Sequence, residues 1–383
     1  MSDEETAWDA WLAEQASQRE AAGLRRALRP RPAHDDLVDL AGNDYLGLSQ
    51  DPRVIEAAAA ATKTWGAGAG ASRLVTGTLE VHTALEEALA HFLGWPAALV
   101  LSTGYHANLS VVTALADRDS LIVSDAHIHA SLIDAARLSR SEIVVTPHND
   151  VAAVERALAA ASGRRALVLA ESIYSVLSDA APLAALASAC AAYDALLVVD
   201  EAHGVGVVGP GGRGSVWEAG LAGHPHVVVT ATLSKALGAQ GGAVLGSPAL
   251  IEHLVNRARP FIFDTGLAPA AAAGAHAALD VLLNEPERVE RLRERVVALA
   301  DLLGVVQPSG SVVSVPMPSP QIAVAAQAAA LVGGVQVGCF RPPSVPDGIS
   351  RLRITVNSGL SAAEWRLASE VVRRVVERHR GGS

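Results

Sequence analysis

Aromatic side chains are scarce, 4% of 383 residues, and there are only two cysteines, Cys190 and Cys339. The two lie far apart in apolar surroundings, without the spacing of a zinc site or the density of a disulfide scaffold. They read as buried thiols in a reducing compartment. Positive charge is also short: 30 Lys and Arg against 40 Asp and Glu give a formal charge of −10. That balance excludes nonspecific nucleic-acid binding as a function. No long apolar run is present either. The least polar stretch, 322–340, contains two glutamines and Gly333-Gly334, and makes a poor membrane span. Met1-Ser2-Asp3-Glu4-Glu5 is acidic and lacks the basic-then-apolar order of a signal peptide, so a cytoplasmic protein without membrane contact is expected.

What is abundant is alanine and aliphatic residues, with half the chain hydrophobic. The length suffices for a large core and more than one domain. From residue 97 short β-branched or aliphatic runs recur: 98–101, 121–123, 143–145, 166–169, 196–199, 227–229 and 243–245. Alanine-rich helical patterns such as 151–161 and 183–193 separate several of them. Apolar strands spaced by helices predict an α/β fold with a mainly parallel seven-stranded sheet covered on both faces. Beyond residue 268 the pattern changes to two helices (268–283 and 285–303), short strands at 312–315, 335–339 and 352–355, and a final helix over 362–379. This predicts a small α+β domain. The expected division is an N-terminal helix and arm over 1–46, a large domain over 47–278 and the small domain over 279–383. Residues 5–28 read as an amphipathic helix with Trp8, Trp11, Leu12 and Leu24 on its apolar face.

Several stretches carry chemistry. The run 230–242, Thr-Ala-Thr-Leu-Ser-Lys-Ala-Leu-Gly-Ala-Gln-Gly-Gly, follows the strand 227–229, which puts Lys235 where an α/β sheet places its ligands. A desolvated lysine there is a nucleophile toward carbonyls. An ordinary surface lysine would explain Ser-Lys alone. Upstream, the strand 196–199 ends in Asp200-Glu201-Ala202-His203-Gly204. A carboxylate at a strand end can hold a protonated pyridine nitrogen, and His203 can reach the same ring. As isolated residues, a helix cap and a half-buried imidazole would serve equally. The loop 102–108 opens a helix, whose N-terminal amides suit a phosphate as well as a simple cap. Glycine-rich 66–78 follows no strand and fits neither a dinucleotide fingerprint nor a P-loop; its small residues imply close approach of a cofactor or a partner subunit. His127 and His129 have the spacing of a metal pair, but no third ligand supports one, and no metal is expected.

Asp-Glu-Ala-His-Gly at 200–204 followed by Thr-Leu-Ser-Lys-Ala-Leu-Gly at 232–238 resembles the α-oxoamine synthases, fold-type I enzymes that depend on pyridoxal 5′-phosphate (PLP). These join an amino acid to an acyl thioester with loss of CO2, and the resemblance spans about 43–355. It implies PLP at Lys235, with Asp200 on the pyridine nitrogen, His203 and His129 at the ring, and Gly104, Tyr105, Ser175, Thr232 and Ser234 as further cofactor contacts. Asn43, in Asn-Asp-Tyr-Leu-Gly-Leu, and Arg353, the second arginine of Arg-Leu-Arg, are implied to bind the amino-acid carboxylate. Arg26, Arg341 and Ser344 are implied at the substrate rim, together with Ser72-Arg73-Leu74-Val75-Thr76-Gly77. Arg-Pro-Pro-Ser-Val-Pro at 341–346 points to L-alanine and a pimeloyl thioester, carried by coenzyme A or an acyl-carrier protein. Glycine-using relatives, or a non-catalytic partner subunit of the same fold, are the alternatives. A homodimer is implied. One departure stands out: Val176-Leu177-Ser178 occupies the place of Met-Asp-Gly in the family.

Overall fold

The computed structural model describes residues 6–21, 25, 28, 30–33, 35–161, 163–342 and 344–380. It divides into two units, Met1–Leu37 and Val38–Ser383. In the first, one helix spans Ala7–Ala21, within the expected 5–28, and none of its residues is buried; Leu24 of the expected face lies outside the described residues. Trp8 and Trp11 pack edge to face at 5.8 Å, and both remain exposed.

The second unit holds two sheets. Strands are β1 (Val38–Leu40), β2 (Ala97–Leu101), β3 (Leu121–Asp125), β4 (Glu142–Thr146), β5 (Ala166–Glu171), β6 (Leu196–Asp200), β7 (Val227–Thr232), β8 (Gly242–Gly246), β9 (Val312–Pro316), β10 (Val335–Phe340) and β11 (Arg351–Thr355). The seven-stranded sheet has the order β2-β8-β7-β6-β5-β3-β4, with β8 antiparallel to both neighbours and the remaining pairs parallel. All seven strands expected from the apolar runs form it. The four-stranded sheet, β1-β10-β11-β9, includes β1, a strand too short to show in the sequence pattern.

Side-chain alternation explains why the sheet strands read as unbroken apolar runs. Along β6, Leu197 and Val199 face one hydrophobic cluster while Val198 faces the other. The same division separates Val229 from Val228 and Val168 from Leu169. Each such side chain contributes about 1.5–3 kcal/mol by leaving water. The first cluster is covered by helices that include Glu80–Leu93 and Pro269–Asn284, the second by Gly104–Leu115 and Ala130–Ser139. Cys190 is buried as expected, whereas Cys339, in β10, is half-buried.

Within the glycine-rich stretch 66–78, a Cβ on Gly77 would lie 2.0 Å from the Ala71 carbonyl oxygen, so the backbone folds tightly on itself there. A side chain at Gly66, Gly68 or Gly70 would meet nothing within 4 Å in this chain. Gly66 and Gly70 have φ of +87° and +75°, which L side chains rarely adopt, so backbone conformation accounts for those two.

Candidate active site

Parallel strands deliver their carboxyl ends to one edge, where ligands of α/β sheets bind. Here Asp125, Glu171, Asp200 and Thr232 are the last residues of β3, β5, β6 and β7. A cavity of about 560 Å³ opens beside them. Seven residues proposed from the sequence line it: Asn43, His129, Ser175, His203, Lys235, Ser344 and Arg353.

A directed hydrogen-bond chain crosses the cavity wall. Lys235 Nζ lies 2.8 Å from His203 Nε2, and His203 Nδ1 lies 2.7 Å from Tyr45 Oη. Tyr45 Oη also lies within 3.3 Å of Asn43 Oδ1. Burial holds His203 well below the usual imidazole range, with Lys235, Arg353 and His129 adding charge repulsion, so the ring is neutral. With Nε2 accepting from Lys235, Nδ1–H donates to Tyr45, whose hydroxyl then donates to Asn43. Burial pushes the Tyr45 phenol up to about 12, so it keeps its proton. Burial lowers Lys235 to about 8 against the opposing pull of Asp200 and Glu171. Roughly a tenth of the amine is therefore unprotonated at pH 7, far more than for an ordinary lysine.

Arg353 ends this chain. It is 5% exposed and stands 5.4 Å over the Phe340 ring. It donates to the Ser175 carbonyl at 3.0 Å, to Asn43 Oδ1 at 3.2 and 3.3 Å, and to Thr355 Oγ1 at 3.1 Å. None of its described hydrogen bonds reaches a carboxylate. A buried guanidinium held only by neutral acceptors is a ready site for a carboxylate ligand. Arg351, two residues earlier, is already paired with Asp347.

Asp200 is fixed from below. Its Oδ2 accepts from Asn108 Nδ2 at 2.7 Å and its Oδ1 from the Ala202 amide at 2.9 Å. Asn108 also donates to Ser131 Oγ at 2.8 Å and accepts from Thr230 Oγ1 at 2.6 Å. Ser131 Oγ in turn lies 2.8 Å from His129 Nδ1, which orients that ring. Across the sheet Glu171 sits in register with Asp200. Burial, reinforced by the Asp200 charge, raises the Glu171 carboxyl well above its ordinary range.

Hydroxyls also gather at a helix start. Thr232 Oγ1 and Ser234 Oγ are 2.7 Å apart, and a Cβ on Gly104 would lie 3.0 Å from Thr232 Cβ. Two hydroxyls thus meet the start of the helix Gly104–Leu115, where free amides favour negative charge. Tyr105 does not join them in this chain: it is 41% exposed and its hydroxyl donates to Asp134. Arg341 flanks the cavity without lining it, and Arg26 lies outside the described residues. In the segment 72–77, Arg73 is buried and paired with Glu86 at 3.0 Å, so it braces the fold rather than facing a rim.

Tyr45, Asn108 and Glu171 were missed as site residues in the sequence. Tyr45 stood in the quoted 43–48 motif, Asn108 one helical turn beyond Gly104, and Glu171 closed an apolar run as Asp200 does. Among the described residues no cluster of His, Cys, Asp and Glu could hold a metal ion, and no helix is long and apolar enough to cross a membrane.

Residues 35–372 match the family described as aminotransferase class I and II. An 8-amino-7-oxononanoate synthase of Mycolicibacterium gilvum (strain PYR-GCK) is 58% identical over 370 residues, 96% of this chain and 97% of that protein. The structure of Sphingomonas wittichii serine palmitoyltransferase superposes with a TM-score of 0.89 at 30% identity, over 99% of both chains. So does one described as SPT with PLP, again with TM-score 0.89 and 30% identity, over 99% of this chain and 100% of that one.

Proposed function

We infer the reaction from one premise: this chain belongs to the class I and II aminotransferase family and, within it, to the 8-amino-7-oxononanoate synthases. It condenses L-alanine with a pimeloyl thioester, giving 8-amino-7-oxononanoate, CO2 and the free thiol, the corresponding step of biotin biosynthesis. PLP, carried covalently by Lys235, supplies the electron sink that makes a carbanion at the alanine Cα accessible. The residues present fit that cofactor. Asp200, held by Asn108 and the Ala202 amide, is placed for a pyridine nitrogen, and His129, oriented by Ser131, for the ring face. Thr232, Ser234 and the amides at Gly104 suit its phosphate.

The observation that carries the reading is the continuous chain from Lys235 through His203, Tyr45 and Asn43 to Arg353. It ties the base to the carboxylate site. Arg353 and Asn43 take the alanine carboxylate in a fork geometry. Lys235, once free as the amine, removes the Cα proton and later returns one; burial brings its pKa close enough to neutrality for both roles. His203 accepts from Lys235 and keeps Nζ aimed into the cavity. Ile128, Val176, Leu177, Phe340 and Val345 form an apolar wall suited to a seven-carbon acyl chain. The donor is carried by coenzyme A or by an acyl-carrier protein, and the working form is a homodimer. Exposed Leu74, Val75 and Phe263 give that dimer apolar surface to cover.

The test is an assay of L-alanine and glycine, each with pimeloyl-, succinyl- and acetyl-CoA, following thiol release. Alanine with pimeloyl-CoA is expected to dominate. A clear preference for glycine with acetyl- or succinyl-CoA would sink the substrate assignment while leaving the family intact.

A further inference from the structure

One layer back from the cavity, the ring of His148 is held between two carboxylates that belong to different loops. Its Nδ1 lies 2.9 Å from Asp125 Oδ1, at the end of β3, and its Nε2 lies 2.6 Å from Asp179 Oδ2, in the loop after β5. Carboxylate oxygens only accept, so both ring nitrogens must carry protons to satisfy this arrangement. Two aromatic side chains cover the ring. His127 stacks on it with centroids 3.9 Å apart, and Tyr174 meets it edge-on at 4.4 Å. Asn149 completes the strap: its backbone N–H donates to Asp125 Oδ2 at 2.7 Å and its side chain to the Ala180 carbonyl at 3.2 Å.

The two loops so joined are the walls of the cavity. The first carries His127, Ile128 and His129, and the second Tyr174, Ser175, Val176 and Leu177. The second loop also supplies the Ser175 carbonyl that Arg353 grips. Neither loop has regular structure over these residues, so their spacing depends on side-chain ties of this kind. We propose that His148, as an imidazolium bridging Asp125 and Asp179, is a positioning residue that fixes the two walls of the substrate cavity and thereby sets substrate affinity rather than the rate of proton transfer at Lys235.

The charges around the ring are consistent. Burial disfavours the imidazolium, but hydrogen bonds to Asp125 and Asp179 outweigh it and the pKa is raised. The stacked neighbour moves the other way: burial first and the His148 charge second lower His127, so only one of the stacked pair is charged. A raised folded-state pKa means the imidazolium, and with it the bridge to the two ionised carboxylates, persists to higher pH than in a free histidine. It is lost as pH rises through that pKa, when a ring nitrogen without its proton would face a carboxylate lone pair.

The experiment compares the PLP-loaded parent with His148→Gln and His148→Ala. Kinetics use whichever amino acid and thioester the parent turns over best. The bridge rests on the cavity being the substrate site but not on the identity of that substrate, so the two ideas fail separately. In parent protein with 15N-labelled histidine, both His148 nitrogens should be protonated at pH 7, the signals being assigned by their loss in the variants. KM should rise roughly five- to tenfold in both variants at pH 7, with kcat changed far less. The parent KM should climb toward high pH, and that climb should vanish in His148→Gln, which cannot titrate. The kcat profile governed by Lys235 should persist in all three. A neutral His148 ring at pH 7, an unchanged KM in both variants, or a KM climb retained in His148→Gln would each overturn the proposal.

Discussion

Arg353 shows most clearly what a single residue contributes. Its guanidinium is buried yet meets only a carbonyl, an amide oxygen and a hydroxyl. An arginine placed this way is costly to the free protein and is offset when a carboxylate arrives. Arg353→Lys keeps the charge but loses the two-pronged geometry that shares Asn43. KM for alanine should rise by at least tenfold, while KM for the thioester moves little. Equal rises in both constants would place Arg353 outside the amino-acid site. Much of this site was legible because the informative residues sit directly after apolar strands: Asp200 and Lys235 needed no tertiary knowledge to be placed near a ligand. Tyr45 and Asn108 did need it. Tyr45 meets His203 across 158 residues of sequence and Asn108 meets Asp200 across 92, and no local pattern encodes such pairings. Nor does the sequence show where the Tyr105 hydroxyl goes: it donates to Asp134, 29 residues on.

At the scale of the element, the loop after β5 is where this chain departs from the family pattern. Ser178 replaces a glycine there and still adopts φ +61°. Its side chain is buried, and its hydroxyl finds no partner among the described residues. The backbone therefore keeps a glycine's conformation without glycine's freedom, at a cost of order 1–2 kcal/mol. Restoring glycine removes that strain and the unsatisfied hydroxyl, and adds back some unfolded-state entropy. Ser178→Gly should raise stability by about 1 kcal/mol, read as a higher denaturant midpoint at constant slope. A lower midpoint would mean that the hydroxyl is satisfied and the loop is unstrained. Strands of the large sheet were readable for the opposite reason. Except in the edge strand β4, both faces are buried, so the run is apolar throughout and its length marks the strand. The helix expected over 5–28 is the weaker case: Trp8, Trp11 and Leu12 give helical spacing, but spacing does not say what a face packs on.

For the molecule as a whole, sheet order, cavity and hydrogen-bond chain all converge on one amine. The chain contains only two lysines, Lys63 and Lys235. Lys63 lies exposed in the last turn of the helix Pro52–Trp65. Lys235 touches His203, and burial lowers its pKa to about 8. A carbonyl cofactor offered to this protein thus has one reactive lysine to choose, and the choice leaves a permanent mark on reduction. The full-length protein loaded with PLP, reduced with borohydride and digested, should yield one pyridoxyl group per chain, on the peptide containing Thr232-Leu233-Ser234-Lys235. Label on Lys63, or no label despite saturating PLP, would contradict the account.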